Sequence, residues 1–271
     1  MSKFISCNFM GGLGNQMFQA AHAVSQGLKT KRETIFLTNS FTPMQGNQTS
    51  NYINNVFRNL NFVEKLPNEY DLVREKSWDY NETIPSQNNC VFDGYFQSSK
   101  NFLGFDNQIQ KLFVPTENFI EEFLNKYSNL QNENTLSIHI RRGDCFFNLD
   151  IHPVANEKYV EKCLEILGDY EHVFVFSDDK KWVKENLKLS NCTFVEGLDD
   201  YEEMWMMSLC KNNIIVNSTF SWWASFLNTN PNKKIIAPSI WFGPRGPQKY
   251  LDIYENYWKV VNVTYKNGFL E

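Results

Sequence analysis

The sequence of 271 residues predicts an α/β protein made of two Rossmann-like lobes with a cleft between them. Three observations carry that expectation. Across residues 136–237, short apolar runs alternate with amphipathic runs at regular intervals, the pattern of a parallel sheet with crossover helices. The chain also opens as strand, glycine turn and helix. A polar segment at residues 128–134 then offers a linker, dividing the chain into a first lobe at 1–130 and a second at 131–271.

In the first lobe a strand is expected at residues 4–9 and a helix from about 16 to 28, where Met17, Ala20, Ala21, Val24 and Leu28 fall on one face. A strand at 35–37 follows. The segment 39–55, rich in Asn, Gln, Thr and Ser, reads as a long surface loop. A strand at 90–92 and helices at 105–113 and 117–127 complete this half. In the second lobe, strands are expected at 136–140, 173–176, 193–195, 214–216 and 235–237; several carry the branched and aromatic residues of strands buried on both faces. Between them, Tyr159, Cys163, Ile166 and Leu167 line one helical face, and Tyr201, Met204, Trp205, Ser208 and Leu209 another. Both faces should pack on the sheet.

Composition narrows the function. The hydrophobic fraction of 42% fills real cores, and a net charge of −5 with dispersed basic residues lacks the field that accompanies nucleic-acid binding. Any anion site must be local. Residues 1–9 hold one lysine and no small-residue cleavage site, and no run of about eighteen apolar residues occurs, so a cytoplasmic protein with no membrane span is expected. The six cysteines are scattered singly, which predicts free, buried thiols rather than a zinc site. Most of the aromatic residues are expected in the core.

Three segments carry the chemistry. His139-Ile140-Arg141-Arg142-Gly143-Asp144 sits where a strand runs out into a loop. Ligands of open α/β sheets bind beyond the carboxyl ends of strands, and planar guanidinium forks there can grip a pyrophosphate. The alternative use of such an arginine is to hold the turn on Asp144 or another carboxylate; one role for each arginine is expected. Ser177-Asp178-Asp179 follows the next strand and precedes a helix starting near Lys180. One of the three serves as helix N-cap, and a carboxylate there could accept hydrogen bonds from the ring N–H and exocyclic amine of guanine. Asn217-Ser218-Thr219-Phe220-Ser221-Trp222-Trp223 again follows a strand and opens a helix, so its hydroxyls and backbone N–H groups either bind an anion or simply cap. The tryptophans read as packing. Three such segments at one sheet edge favour a binding site.

Other sites are excluded. Gly11-Gly12-Leu13-Gly14-Asn15-Gln16 fails as a dinucleotide fingerprint because Met17 stands where Gly or Ala is needed. Neither a phosphate-loop Gly-Lys-Ser/Thr nor an Asp-x-Asp metal clamp occurs.

Taken together, GGLGNQMFQ (11–19), GYFQS (94–98), HIRRGD (139–144), FSDD (176–179) and NSTFSWW (217–223) resemble the α-1,2-fucosyltransferases of glycosyltransferase family 11. The resemblance implies a GT-B-like fold, an acceptor-side first lobe and a second lobe that holds GDP-fucose, inversion at the anomeric carbon, and no required metal or other cofactor. It assigns Arg141 to the pyrophosphate, His139 with Asp178 or Asp179 to the guanosine end, and Ser218, Thr219 and Ser221 to phosphate oxygens. Ser177 and Asn217 belong to the same donor-binding segments. Gly14, Asn15 and Gln16 would approach the donor from the first lobe, and Arg142 would be scaffold. Cys145-Phe146-Phe147 and Ala224-Ser225-Phe226 depart from the family pattern and leave the acceptor open.

The expected partners are therefore a nucleotide sugar and a glycan acceptor. Charge collects on GDP as the C1–O bond breaks, and fixed cations and N–H dipoles stabilise it. The acceptor hydroxyl loses a proton, for which Asp144 and Asp150 are the candidates. A transferase using another nucleotide deoxysugar, and a non-catalytic nucleotide-binding protein, are the alternative readings.

Overall fold

In the computed structural model, residues 3–39, 41–42, 47–67 and 69–271 are described. They form two compact units, the first comprising Met1–Val114 and Lys249–Glu255, the second Pro115–Gln248 and Asn256–Glu271.

The first unit is built on strand β1 (Phe4–Cys7), helix α1 (Leu13–Thr30), strands β2 (Glu33–Thr34), β3 (Asp71–Arg74) and β4 (Cys90–Asp93), and helix α2 (Asp106–Phe113). The four strands make a parallel sheet in the order β2-β1-β4-β3. Helix α1 starts three residues before the expected position, inside the glycine cluster, and Leu28 is exposed rather than on the buried face. Two glutamines explain the tight entry. Gln19 grips residue 10 by both backbone groups, taking the Met10 N–H at 3.0 Å and donating to its carbonyl at 3.2 Å, while Gln16 donates to Gly11 O at 3.0 Å. Phe9, Phe36, Phe57 and Phe62 stack into an aromatic core beside the sheet. The segment expected as a surface loop over 39–55 is partly core: Thr49 and Tyr52 are buried, and Phe41–Thr42 pairs with Phe9–Met10. Residues 40 and 43–46 of that expectation lie outside the described residues.

The second unit begins with helix α3 (Glu117–Lys126) and continues β5 (Thr135–Ile140), α4 (Glu157–Leu167), β6 (His172–Ser177), α5 (Lys180–Asn186), β7 (Cys192–Phe194), α6 (Asp200–Leu209), β8 (Asn212–Ile214), α7 (Thr219–Leu227), β9 (Ile235–Pro238) and β10 (Lys259–Val261). The division expected at 130/131 falls instead after Val114, because α3 is tied to this unit by Phe119 against Trp205 at 4.9 Å and by the Tyr127 ring against Phe174 at 6.2 Å. The segment 128–134 is no linker: Ser128–Gln131 is a 3₁₀ turn with Leu130 buried. Lys249–Glu255 returns to the first unit, where Asp252 accepts the Tyr80 N–H at 2.9 Å and pairs with Lys100.

Six parallel strands stand in the order β7-β6-β5-β8-β9-β10. Numbered by their appearance in the chain this is 3-2-1-4-5-6, the Rossmann order, in which the order of strand addition reverses between β5 and β8. Both faces of β5 are buried, with Leu136, Ile138 and Ile140 in one core cluster with Val173, Val175 and Ile214. Strand β8 begins two residues earlier than its apolar run suggested. Its buried Asn213 is satisfied in place, donating to Ser137 Oγ at 2.6 Å and Met207 O at 2.8 Å, so a polar residue enters the ladder without penalty. On α4, Tyr159, Cys163 and Leu167 are buried as expected, but Ile166 is exposed. Helix α6 is buried over nearly its whole circumference, Met204 to Ser208. A small sheet of Val154–Ala155, Phe269–Leu270 and Tyr265–Lys266, absent from the sequence reading, flanks this unit. The six cysteines are free, five of them buried.

Candidate active site

At a reversal of strand order the loops on either side diverge and leave a crevice beyond the strand ends. In the second unit this crevice is flanked by the segment after β5, residues 141–144, and by the entry to α7, residues 217–221. Pairing of Ser177 with Ile140 and of Ile214 with Ile138 sets the ends of β6, β5 and β8 side by side. All three motif segments expected to bind the donor therefore meet on one edge.

Arg141 presents its guanidinium side-on to Asp144, Nε to Oδ1 at 3.0 Å and Nη2 to Oδ2 at 2.6 Å, and stays partly exposed. This is the pairing foreseen for one of the two arginines. It leaves the Nη1 edge with no partner among the described residues, aimed as a pre-oriented donor. Burial acts to discharge Arg141, but Asp144, together with Cys145 and Asp178, more than offsets that and holds the guanidinium more firmly protonated than usual. Burial likewise pushes the Asp144 carboxyl upward, and Arg141 more than reverses it. With both oxygens on Arg141 and its affinity for protons lowered, Asp144 is suited to positioning, not to proton abstraction.

Arg142 is the scaffold arginine. Its side chain is buried, Nε bonds Asp179 at 3.2 Å, and the guanidinium lies over the Trp182 ring at 3.7 Å and the Phe146 ring at 5.0 Å. Its backbone N–H and that of Gly143 donate to the two oxygens of Asp178 at 2.7 and 3.0 Å. A side chain at Gly143 would crowd Asp178, its Cβ falling 3.0 Å from Oδ2. Asp179 caps α5 by accepting the Trp182 N–H at 3.0 Å, and Ser177 Oγ accepts the Asp179 N–H at 3.0 Å. Capping explains one of Ser177, Asp178 and Asp179, as expected; Asp178 instead holds the turn after β5, and Ser177 supports the Asp179 N–H.

His139 is buried, with its ring 5.3 Å from that of Phe220 and its Nδ1 unpartnered. Burial, then the nearby charges of Arg141 and Lys180, hold its pKa down to about 3, so it is neutral at physiological pH. At the other side of the crevice, Ser218 stands at the N-cap of α7 but its side chain makes no capping hydrogen bond, and the first turn has no acidic residue. The start of α7 thus receives no side-chain cap from Ser218, the condition in which a helix N-terminus can take an anion. Thr219 is half-buried. Ser221 is fully buried and its Oγ donates back to Ser218 O at 3.3 Å, so its hydroxyl serves the helix and not a ligand. Asn217 spends its amide on Pro153 O at 2.9 Å, stapling the 148–153 loop to the crevice. Trp222 and Trp223 are packing, as expected.

Gly14, Asn15 and Gln16 lie in the first unit at the start of α1. Gln16 is wholly buried and internally bonded, to Gly11 O, to Asn47 O at 2.9 Å and from Thr49 Oγ1 at 2.9 Å. It is a fastener, contrary to the donor role expected for it. Asn15 Oδ1 accepts from Gln97 Nε2 at 2.9 Å, which joins the first motif to the GYFQS segment.

Two contributors escaped the sequence reading. His152 is half-buried, with its ring 5.8 Å from Phe242; burial and Arg141 lower its pKa against the opposing pull of Asp144. Tyr159, read as core, donates its hydroxyl to Ile215 O at 2.6 Å and so fixes the chain leaving β8. The first was visible as one of four histidines, close behind the arginine motif.

The model for glycosyl transferase family 11 matches residues 2–262. The chain belongs to that family. It is similar to the O-antigen biosynthesis glycosyltransferase WbnK of Escherichia coli, 29% identical over 88% of this chain and 95% of that protein, and to an alpha-1,2-colitosyltransferase of Escherichia coli, 28% identical over 86% and 90%. The fold is the α/β, GT-B-like one of the fucosyltransferase NodZ from Bradyrhizobium, with a TM-score of 0.54 at 12% identity over 84% of this chain and 92% of that one. This family 11 glycosyltransferase has, among the described residues, no helix long and apolar enough to cross a membrane.

Proposed function

We propose that this family 11 member is an inverting transferase that moves fucose from GDP-fucose to the 2-hydroxyl of a galactoside acceptor, forming an α-1,2 linkage without a metal ion. One observation carries the reading: the unpartnered edge of Arg141 and the uncapped start of α7 flank the reversal point of a Rossmann-ordered sheet. A diphosphate there receives a guanidinium fork from one side and helix N–H groups from the other.

As the acceptor oxygen bonds to C1 of the sugar, the C1–O bond to the β-phosphate breaks and its electron pair goes to GDP. Arg141 and the α7 terminus stabilise that growing charge, a task otherwise given to a divalent cation. Asp144 keeps Arg141 in plane. The neutral His139, adjoining both arms, offers its Nδ1 to the nucleotide, and Asp150 takes the acceptor's proton.

A second reading, a transferase using another nucleotide deoxysugar, has a specific observation behind it: one relative is named an alpha-1,2-colitosyltransferase. Calorimetric titration with GDP, UDP and dTDP, followed by turnover of GDP-fucose with lactose in EDTA, tests both. GDP-selective binding with transfer to lactose is expected. Binding without turnover of any GDP-sugar would make the chain a nucleotide-binding protein instead.

A further inference from the structure

The loop 147–151 lines an open cavity of about 380 Å³ together with Arg245 and Asn267. That volume falls in the range of small-ligand sites, roughly 300–1,000 Å³. Its position in the chain ties it to the crevice: Phe147 ends the turn begun by Asp144, and His152, next after Ile151, shares the electrostatic environment of Arg141 and Asp144.

The cavity is rigidly made. Gly243 donates to Ile151 O at 3.0 Å and Arg245 N–H to Asp150 O at 2.9 Å; a side chain at Gly243 would collide with the Asp150 carbonyl. From the other side the Asn267-Gly268 hairpin, with φ of 51° and 89°, presses Gly268 against Leu149 so closely that a Cβ there would strike its side chain. Three segments are thus locked by two glycine contacts. Asn217 pins the far end through Pro153.

Its lining has the chemistry of a sugar site. Phe147 stands 85% exposed, an aromatic face that a pyranose C–H face can cover. Tyr265 donates to Asp150 Oδ1 at 2.6 Å, which fixes the carboxylate and leaves Oδ2 to a hydroxyl. Arg245 makes no side-chain ion pair among the described residues, and the amides of Asn148 and Asn267 line the same space.

Resting on the donor reading above, we infer that this cavity, in the second unit and not in the first lobe that the resemblance assigns to the acceptor, is an acceptor subsite, which binds a neutral pyranose with its hydroxyls on Asp150, Arg245 and Asn267 and its apolar face on Phe147. It touches the stretch after the arginine motif, one of the two places where the chain departs from the family pattern. Of the residues that depart from that pattern, Phe147 is the one that lines this cavity.

The experiment compares the intact protein with Phe147→Ala and Arg245→Ala, both at exposed positions, measuring KM for lactose at saturating GDP-fucose and Kd for GDP. Each variant should raise the lactose KM about tenfold, the worth of one charged hydrogen bond or a ring face, with kcat and the GDP Kd within twofold. A lactose KM unchanged in both variants overturns the inference while leaving the donor reading intact. GDP affinity falling in step with lactose would also overturn it, by making the cavity part of the donor site. Failure of the intact protein to bind GDP overturns the donor reading, and this inference with it.

Discussion

Arg141 and Asp144 face each other across two parallel hydrogen bonds of 3.0 and 2.6 Å on the turn that leaves the central strand. A guanidinium is planar and cannot lose its proton, so the pair fixes both the direction and the charge of its outer edge. Function then depends on the plane, not on the positive charge alone.

Arg141→Lys should therefore fold normally yet lose about 100-fold in kcat/KM for the donor, since an ammonium can satisfy Asp144 or a phosphate but not both in one plane. Asp144→Asn should cost less, about tenfold, because the fork remains but one of its anchoring bonds is weakened. Steady-state kinetics over a range of GDP-fucose concentrations measure both. Near-normal turnover by the lysine variant would remove Arg141 from the donor site.

Asp178→Ala should destabilise the second unit by about 2 kcal/mol, the cost of leaving the Arg142 and Gly143 N–H groups without their acceptor, and should lower GDP affinity only through the displaced turn. Gly143→Ala should act in the same direction by crowding that carboxylate. Urea denaturation with and without GDP distinguishes this from direct recognition. A variant of unchanged stability that loses guanine preference over adenine would restore the nucleotide role to Asp178.

Tyr159→Phe should cost about 1 kcal/mol in thermal unfolding, since the phenol hydroxyl is the buried partner of Ile215 O. Turnover should fall only slightly, because the α7 terminus keeps its backbone N–H groups. A large loss of kcat without loss of stability would mean that Tyr159 acts on the reaction.

Two buried imidazoles predict a pH dependence. His139 and His22 each have a pKa held down to about 3, by burial first and then by nearby cations, Arg141 and Lys180 for one and Lys29 for the other. Below the unfolded value of 6.5 the unfolded chain binds protons that the folded one refuses, so stability is level above that pH and declines as pH falls toward 3. At pH 5 each group should cost on the order of 2 kcal/mol. Scanning calorimetry from pH 7.5 to pH 5 should show the fall in Tm, and His22→Phe, which preserves the stack on Phe96, should flatten it. An unchanged slope would mean that His22 takes up a proton in the folded protein.

Much of this molecule is legible along the chain. The apolar runs at β5, β6 and β9 mark those strands within a residue or two, because a strand buried on both faces leaves no room for a polar residue without a partner. Strand β8 slips by two for the converse reason, since Asn213 finds its partners on Ser137 and Met207, which are distant in sequence. The boundary between units was misplaced because polar composition at 128–134 resembles a linker, whereas Phe119 and Tyr127 bind α3 to rings that no local pattern announces.

The sequence by itself determined the family, the parallel sheet and the three segments that gather at its carboxyl edge, because those depend on local residue pattern. Only the tertiary structure decided which polar groups are left over for a ligand. Asp178, Asp179, Asn217, Ser221 and Gln16 all carry groups suited to a nucleotide, yet each is committed to a backbone or side-chain partner of its own unit. A hydrogen-bonding group can be assigned to a ligand only after its internal partners are known, and those partners come from folding.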